Sequence, residues 1–241
     1  EAIVEADKVS RKNFSGHGAA LAQAYNHMIL PLCNERDRRT QVIWGIADFE
    51  SRFHRKPEGL WLPETAVDTA SLEILAELDI KFTILAPRQA KRFRKIGDKN
   101  WTAVKDANID PQHPHLCRLP SGRSIALFFY DGPISHDIAF GGLLNNGEGF
   151  ANRLTASFPN DNPSSRLVTA ATDGETFGHH HRFGNMALSY CLYSIEKNKS
   201  IQNTVYAEYL DLNPPEFEVE IHENSSWSCA HGVERWKSDC G

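Results

Sequence analysis

The feature that most constrains this chain is an alternation of short apolar runs with longer segments whose apolar residues recur at helical spacing. GLWLPETAV (59–67) reads as a buried strand, and the Asp68 that follows is a ready N-cap for a helix over 69–79. KFTILA (81–86), SIALFFY (124–130), RLVTAAT (166–172) and TVYAEYL (204–210) read as further strands. Residues 18–33, 38–54, about 148–158 and about 183–197 read as helices, a polar helical stretch opens the chain, and 87–122 reads as a loop-rich insert. Strands separated by helices predict an α/β fold in which a parallel sheet is covered by helices, either as a barrel or as a doubly wound sheet. At 241 residues and 41% hydrophobic content the chain can bury one large core, so 1–241 is expected to be a single domain.

Several function classes are disfavoured by charge and apolar pattern. The net charge is -5, from 26 basic and 31 acidic residues, so neither a nucleic acid nor an anionic membrane meets a basic field. No apolar run approaches the roughly 20 residues that cross a bilayer, and EAIVEADKVSRKNF lacks the order of a signal peptide. A soluble, cytoplasmic protein is expected. Five cysteines (Cys33, Cys117, Cys191, Cys229 and Cys240) show no C-x-x-C spacing, and an odd number cannot all pair, which fits reduced thiols. Cys229, His231, Asp239 and Cys240 form a ligand-like group, but their spacing matches no established zinc pattern, and they read as structural thiols. The chain opens within a helical stretch and stops at SDCG just after a motif-like segment, as a fragment with sequence missing at both ends would.

In parallel barrels the chemistry sits at the C-terminal ends of the strands. Three such ends carry polar clusters: Pro63-Glu64, Asp131-Gly132 and Asp173-Gly174-Glu175. Asp131 reads as a turn former. Glu64 ends an apolar strand, flanked by Trp61 and Pro63, where a carboxylate costs desolvation unless it is used or paired. Asp173 and Glu175 follow another apolar strand, with Gly174 allowing a sharp turn and His179, His180 and His181 close behind. Two carboxylates from different strands are what glycosidic cleavage needs, one to attack or stabilise the anomeric carbon and one to protonate the leaving oxygen. Three consecutive histidines cannot all face one metal ion from regular structure, so they are expected to line a sugar pocket, at least one of them exposed. Trp227 and Trp236 could stack on a sugar or pack in the core.

The segments GLWLPETAVD (59–68) and TDGETFGHHH (172–181), in this order and spacing, resemble the third and fourth motif regions of glycoside hydrolase family 57, whose members act on α-glucans. The resemblance implies Glu64 as nucleophile and Asp173 as general acid/base of a retaining hydrolase or glucanotransferase that needs no metal or organic cofactor. YNHMILPL (25–32) is similar to the second region, which places His27 at the sugar site. Ala19 then stands where many members carry a substrate-site glutamate, with His17 nearby. Trp61, Glu175, His179, His180 and Trp227 complete the implied substrate contacts to an oligo- or polysaccharide. The first region has no counterpart. GHGAALAQAYNH (16–27), WGIADFESRF (44–53) and SSWSCAHGVERW (225–236) look most like a bacterial branch loosely described as amylase- or mannosidase-like. The implied fold is a (β/α)7-type barrel, shared with family 38 mannosidases and polysaccharide deacetylases and incomplete here because its start is missing. Two other readings stay open: a metal-dependent carbohydrate deacetylase on a related barrel, and a glycan-binding relic without catalysis.

Overall fold

The computed structural model of the chain describes residues 1–158 and 165–241, which form two compact units, Glu1–Phe129 with Val205–Gly241, and Tyr130–Thr204. The first unit begins with α1 (Ala2–Asn13), β1 (Ala22–Gln23), α2 (Glu35–Phe53), β2 (Leu60–Trp61), α3 (Thr69–Glu77) and β3 (Phe82–Leu85). It continues through β4 (Ala90–Lys95), β5 (Thr102–Ala103), β6 (His115–Arg118) and β7 (Ser124–Phe129). The second unit holds α4 (Gly132–Ala139), α5 (Gly147–Thr155) and α6 (Gly184–Glu196), after which α7 (Tyr206–Leu212) and β8 (Phe217–Ile221) belong again to the first. Among the described residues no helix is long and apolar enough to cross a membrane.

The first unit is an α/β arrangement built on a run of parallel neighbours. β1 pairs with β2, the bridge between Gly59 and Phe82 joins β2 to β3, and β3 pairs along its length with β7, all in parallel. Helices α2 and α3 make the first two crossings, as parallel pairing requires. Leu60, Leu62, Leu85, Leu127 and Phe129 are fully enclosed, and each such side chain stabilises the fold by about 1.5–3 kcal/mol relative to exposure. Asp68 caps α3 as its sequence predicts, its Oδ1 accepting from the Ser71 N–H at 2.7 Å.

The sheet beyond β7 corrects the expectation of a purely parallel sheet. Its order is β3-β7-β6-β8-β4-β5, with β6 antiparallel to β7 and β4 antiparallel to both β8 and β5. The stretch 87–122 is therefore an insert between two parallel strands, yet it carries three strands rather than loops. Its longest strand, β4, was hidden by charge. AKRFRK and FEVEI place cations opposite carboxylates, so Arg92 pairs with Glu220 (2.6 Å) and Arg94 with Glu218 (2.6 Å), which favours the cross-strand register.

Two further expectations fail for local reasons. Residues 18–33 hold only β1 and a short turn at Leu30–Leu32, because Arg38 and Gln41 of α2 bind this segment's backbone and stand in for helical bonds. TVYAEYL is largely helical in α7, since Tyr206 and Tyr209 lie one turn apart and both pack on Phe128 (ring centroids 4.9 and 6.4 Å). In the second unit, 166–172 forms no strand ladder among the described residues. It does run with Leu167 and Thr169 buried, and the Thr169 carbonyl accepts from the Asp131 N–H at 2.9 Å.

Candidate active site

Glu64 stands three residues beyond β2, where two consecutive non-glycine residues take left-handed backbone. Pro63, Glu64 and Thr65 form a single tight turn in which Glu64 has φ 58° and ψ 19° and Thr65 has φ 50°. Left-handed backbone costs a non-glycine residue roughly 1–3 kcal/mol, and more for a β-branched one, so the surroundings must impose it. Gln89, fully enclosed beyond β3, does so. Its Oε1 accepts from the Thr65 hydroxyl and from the Ala86 N–H, both at 2.8 Å, and its Nε2 donates to the Thr65 carbonyl at 2.8 Å and to Ser225 Oγ at 3.2 Å.

A second segment closes over the same turn. Val67 and Ser225 exchange backbone hydrogen bonds (2.9 and 3.2 Å), and the Trp227 N–H donates to the Glu64 carbonyl at 3.1 Å. The Trp227 indole N–H then donates to Glu64 Oε2 at 3.0 Å, and the Ser228 hydroxyl donates to the same oxygen at 2.5 Å. No hydrogen bond among the described residues reaches Oε1. Trp61 meets Trp227 edge to face with centroids 5.2 Å apart, and all three side chains of this group are half-buried. The covering segment is itself tied down: Arg88 donates to the Ser226 carbonyl at 2.9 Å, Ser226 Oγ to the Gly232 carbonyl at 2.6 Å, and Arg235 to the Ser228 carbonyl at 3.0 Å. Gly232 has φ 80°, and a Cβ there would lie 2.1 Å from the Asn224 carbonyl oxygen, so only glycine fits.

His27 is exposed, with φ 54°, in the loop that follows β1; since β1 and β2 are parallel neighbours, this loop and Glu64 leave the same end of the pair. His17 sits apart from the Glu64 cluster in its bonding, Nδ1 on Glu58 at 3.0 Å and Nε2 on Asp211 at 3.3 Å. Ala19 is exposed.

In the second unit Asp173 is exposed and precedes a turn over Gly174–Thr176, its carbonyl accepting from the Thr176 N–H at 3.1 Å. The glycine-only conformation falls on Gly178 (φ 135°), while Gly174 keeps an ordinary backbone. The N–H groups of His179 and His180 both bond the Glu175 carbonyl (3.0 and 2.9 Å), and the two exposed rings lie 5.2 Å apart. His181 is tied instead to the Ala139 carbonyl through Nε2 at 3.0 Å. Asp131 caps α4 by accepting from the Ile134 N–H at 2.8 Å, the turn-forming role its sequence implies. Sequence reasoning did not single out Gln89, Thr65 or Ser228. Their residue types are common, and only the fold brings them to Glu64.

No curated protein matches the chain. Among solved structures it is similar to a family 57 branching enzyme from Thermococcus kodakaraensis at 18% identity and TM-score 0.74, covering 96% of this chain and 54% of that one. It is also similar to a 4-α-glucanotransferase from Thermococcus litoralis (19%, TM-score 0.70, 91% of this chain and 32% of that one). A third is an α-amylase from Thermotoga maritima (14%, TM-score 0.70, 97% and 55%). The chain thus spans about a third to just over half of these proteins' lengths, and the likeness is one of fold. The family model described as Glycosyl hydrolase family 57 matches residues 13–222, so the chain belongs to glycosyl hydrolase family 57.

Proposed function

We propose that residues 1–241 carry the catalytic domain of a retaining enzyme that hydrolyses or transfers α-glucans, with Glu64 as nucleophile and Asp173 as general acid/base. The observation that carries this reading is the Glu64 carboxylate itself. One oxygen is fixed by two donors, the other is left without a hydrogen bond among the described residues, and a strained backbone holds the group at a strand end. In the reaction Asp173 gives its proton to the glycosidic oxygen as the bond from that oxygen to the anomeric carbon breaks, and Glu64 Oε1 bonds to the anomeric carbon. The Asp173 carboxylate then takes a proton from an incoming hydroxyl, whose oxygen replaces Glu64 at the same carbon. Two inversions leave the configuration retained. Water as acceptor gives hydrolysis, and a sugar hydroxyl gives transfer or branching, which fits relatives named as amylase, glucanotransferase and branching enzyme. No cofactor takes part in these steps.

Trp61 and Trp227 offer aromatic faces beside the nucleophile, His27 reaches the site from the end of β1, and Glu175, His179 and His180 act on the substrate beside the acid/base. His17, with both ring nitrogens on carboxylates, supports the segment leading into β1. For the fold, the parallel run β1-β2-β3-β7 supports reading the chain as part of a (β/α)7-type barrel that lacks its first staves.

The test is incubation of the protein with malto-oligosaccharides and soluble starch, following the anomeric protons of the first product by NMR. Retained configuration, abolished by Glu64→Gln in a protein of unchanged circular dichroism, is expected. Inverted product, or undiminished turnover in Glu64→Gln, overturns the assignment.

A further inference from the structure

We propose that Cys229, His231 and Cys240 form a binding site for one divalent cation of the zinc type, with water as its fourth ligand. One ligand atom from each of the three side chains lies within 4.8 Å of the others. The two sulfurs are 3.8 Å apart. A tetrahedral ion with zinc–sulfur bonds of about 2.3 Å sets its two sulfurs about 3.8 Å from each other, so the pair can share an ion without moving. A disulfide would require them to close to about 2.05 Å.

The backbone turn that carries the sulfur is itself closed, the Gly232 N–H donating to the Cys229 carbonyl at 3.2 Å. Cys229 is buried, Cys240 half-buried and His231 exposed, which leaves the histidine side open for a water. Two thiolates and an imidazole select a borderline-soft ion and disfavour magnesium or calcium, which take oxygen ligands. Asp239, grouped with these residues in the sequence, lies outside the cluster and accepts from the Gly241 N–H at 3.3 Å.

The ion is a brace rather than a reactant. It would fasten the backbone at Cys240 to the segment that carries Trp227 and Ser228, the two donors on Glu64 Oε2, with Arg235 already holding the Ser228 carbonyl. Binding does not depend on the glycoside chemistry above, so it is tested without a sugar substrate.

The full chain, purified without chelator, should contain one zinc per molecule by inductively coupled plasma mass spectrometry. After stripping, added cobalt(II) should give near-ultraviolet thiolate-to-cobalt charge transfer and intense tetrahedral visible bands. Cys240→Ser and His231→Ala, both at accessible positions, should each weaken cobalt binding by more than about tenfold, while Cys33→Ser should leave it unchanged. Cys229→Ser is not relied on, because that side chain is buried. The proposal is overturned if reduced, folded protein takes up neither zinc nor cobalt, if the cobalt spectrum survives in Cys240→Ser, or if peptide mapping of fresh protein finds Cys229 and Cys240 joined as a disulfide.

Discussion

Replacing Gln89 by methionine asks how much of the Glu64 turn is imposed from outside. Methionine nearly matches the volume of glutamine but has neither its amide donor nor its carbonyl acceptor. Three enclosed groups lose their partner: the Ala86 N–H, the Thr65 hydroxyl and the Thr65 carbonyl, each now bonded to Gln89 at 2.8 Å. A buried polar group left unpaired costs about 1–3 kcal/mol, so even the lower figure for each predicts a loss of about 3 kcal/mol, a large part of a typical stability of about 5–15 kcal/mol. The turn can partly escape by relaxing Glu64 and Thr65 out of φ 58° and 50°, but only by moving the carboxylate away from Trp227 and Ser228. Stability and the Glu64 geometry should therefore fall together. Urea unfolding followed by tryptophan fluorescence suits the purpose, because all five tryptophans lie in the first unit and report on it alone. The midpoint should drop with the slope unchanged. A loss below about 1 kcal/mol would refute the reasoning, since it would mean that the turn keeps its conformation without Gln89.

Three further outcomes are expected. Asp173→Asn should still be glycosylated by an activated aryl α-glucoside and should accumulate the covalent intermediate. Azide should restore turnover as a glycosyl azide, and mass spectrometry should find the trapped sugar on the peptide containing Glu64; a sugar on another peptide would defeat the assignment. Ser228→Ala, which removes the 2.5 Å bond to Glu64 Oε2, should lower turnover on malto-oligosaccharides about tenfold at nearly constant stability, and an unchanged rate would show that Trp227 alone aligns the carboxylate. His115 is enclosed between Phe129 and Phe217, and burial pushes its pKa down to about 4, so the native state stays neutral at pH values where the unfolded chain takes up a proton. Its contribution is therefore present above about pH 6.5 and is lost as pH falls toward about 4, with a slope of up to about 1.4 kcal/mol per pH unit; His115→Phe should flatten that limb of the urea midpoint profile, and an equally steep limb would count against it.

The parts of the fold legible in sequence are those in which one element decides its own state. Asp68 before an amphipathic run, KFTILA and SIALFFY all behave as local pattern dictates, because enclosure on both faces demands continuous apolar residues. The insert strand β4 is different. AKRFRK lies in a stretch that reads as loop-rich, and its pairing with β8 outside the insert is favoured by cross-strand charges, a term that exists only after pairing. TVYAEYL misled for the opposite reason: its β-branched and aromatic residues carry strand propensity, and tertiary packing of its two tyrosines on Phe128 overrides it.

The same division runs through the site. A reactive residue is legible because chemistry limits its type, and a carboxylate at an apolar strand end has few other reasons to be there. The residues that hold it are limited only by geometry. Gln89 lies 24 positions from Thr65, and Trp227 and Ser228 lie 163 and 164 positions from Glu64, so no local pattern relates them. Trp227 stood out as an aromatic, but Gln89 and Ser228 are of common residue types. What relates them is strain: a left-handed glutamate and threonine in sequence need partners on every side, and the fold supplies a glutamine from beneath and a tryptophan and a serine from above. From this follows an order of sensitivity. Substitutions at Glu64 should abolish activity at little cost in stability, those at Gln89 should cost both, and those at Ser228 should cost activity more mildly and little stability, which is the pattern the variants above would display.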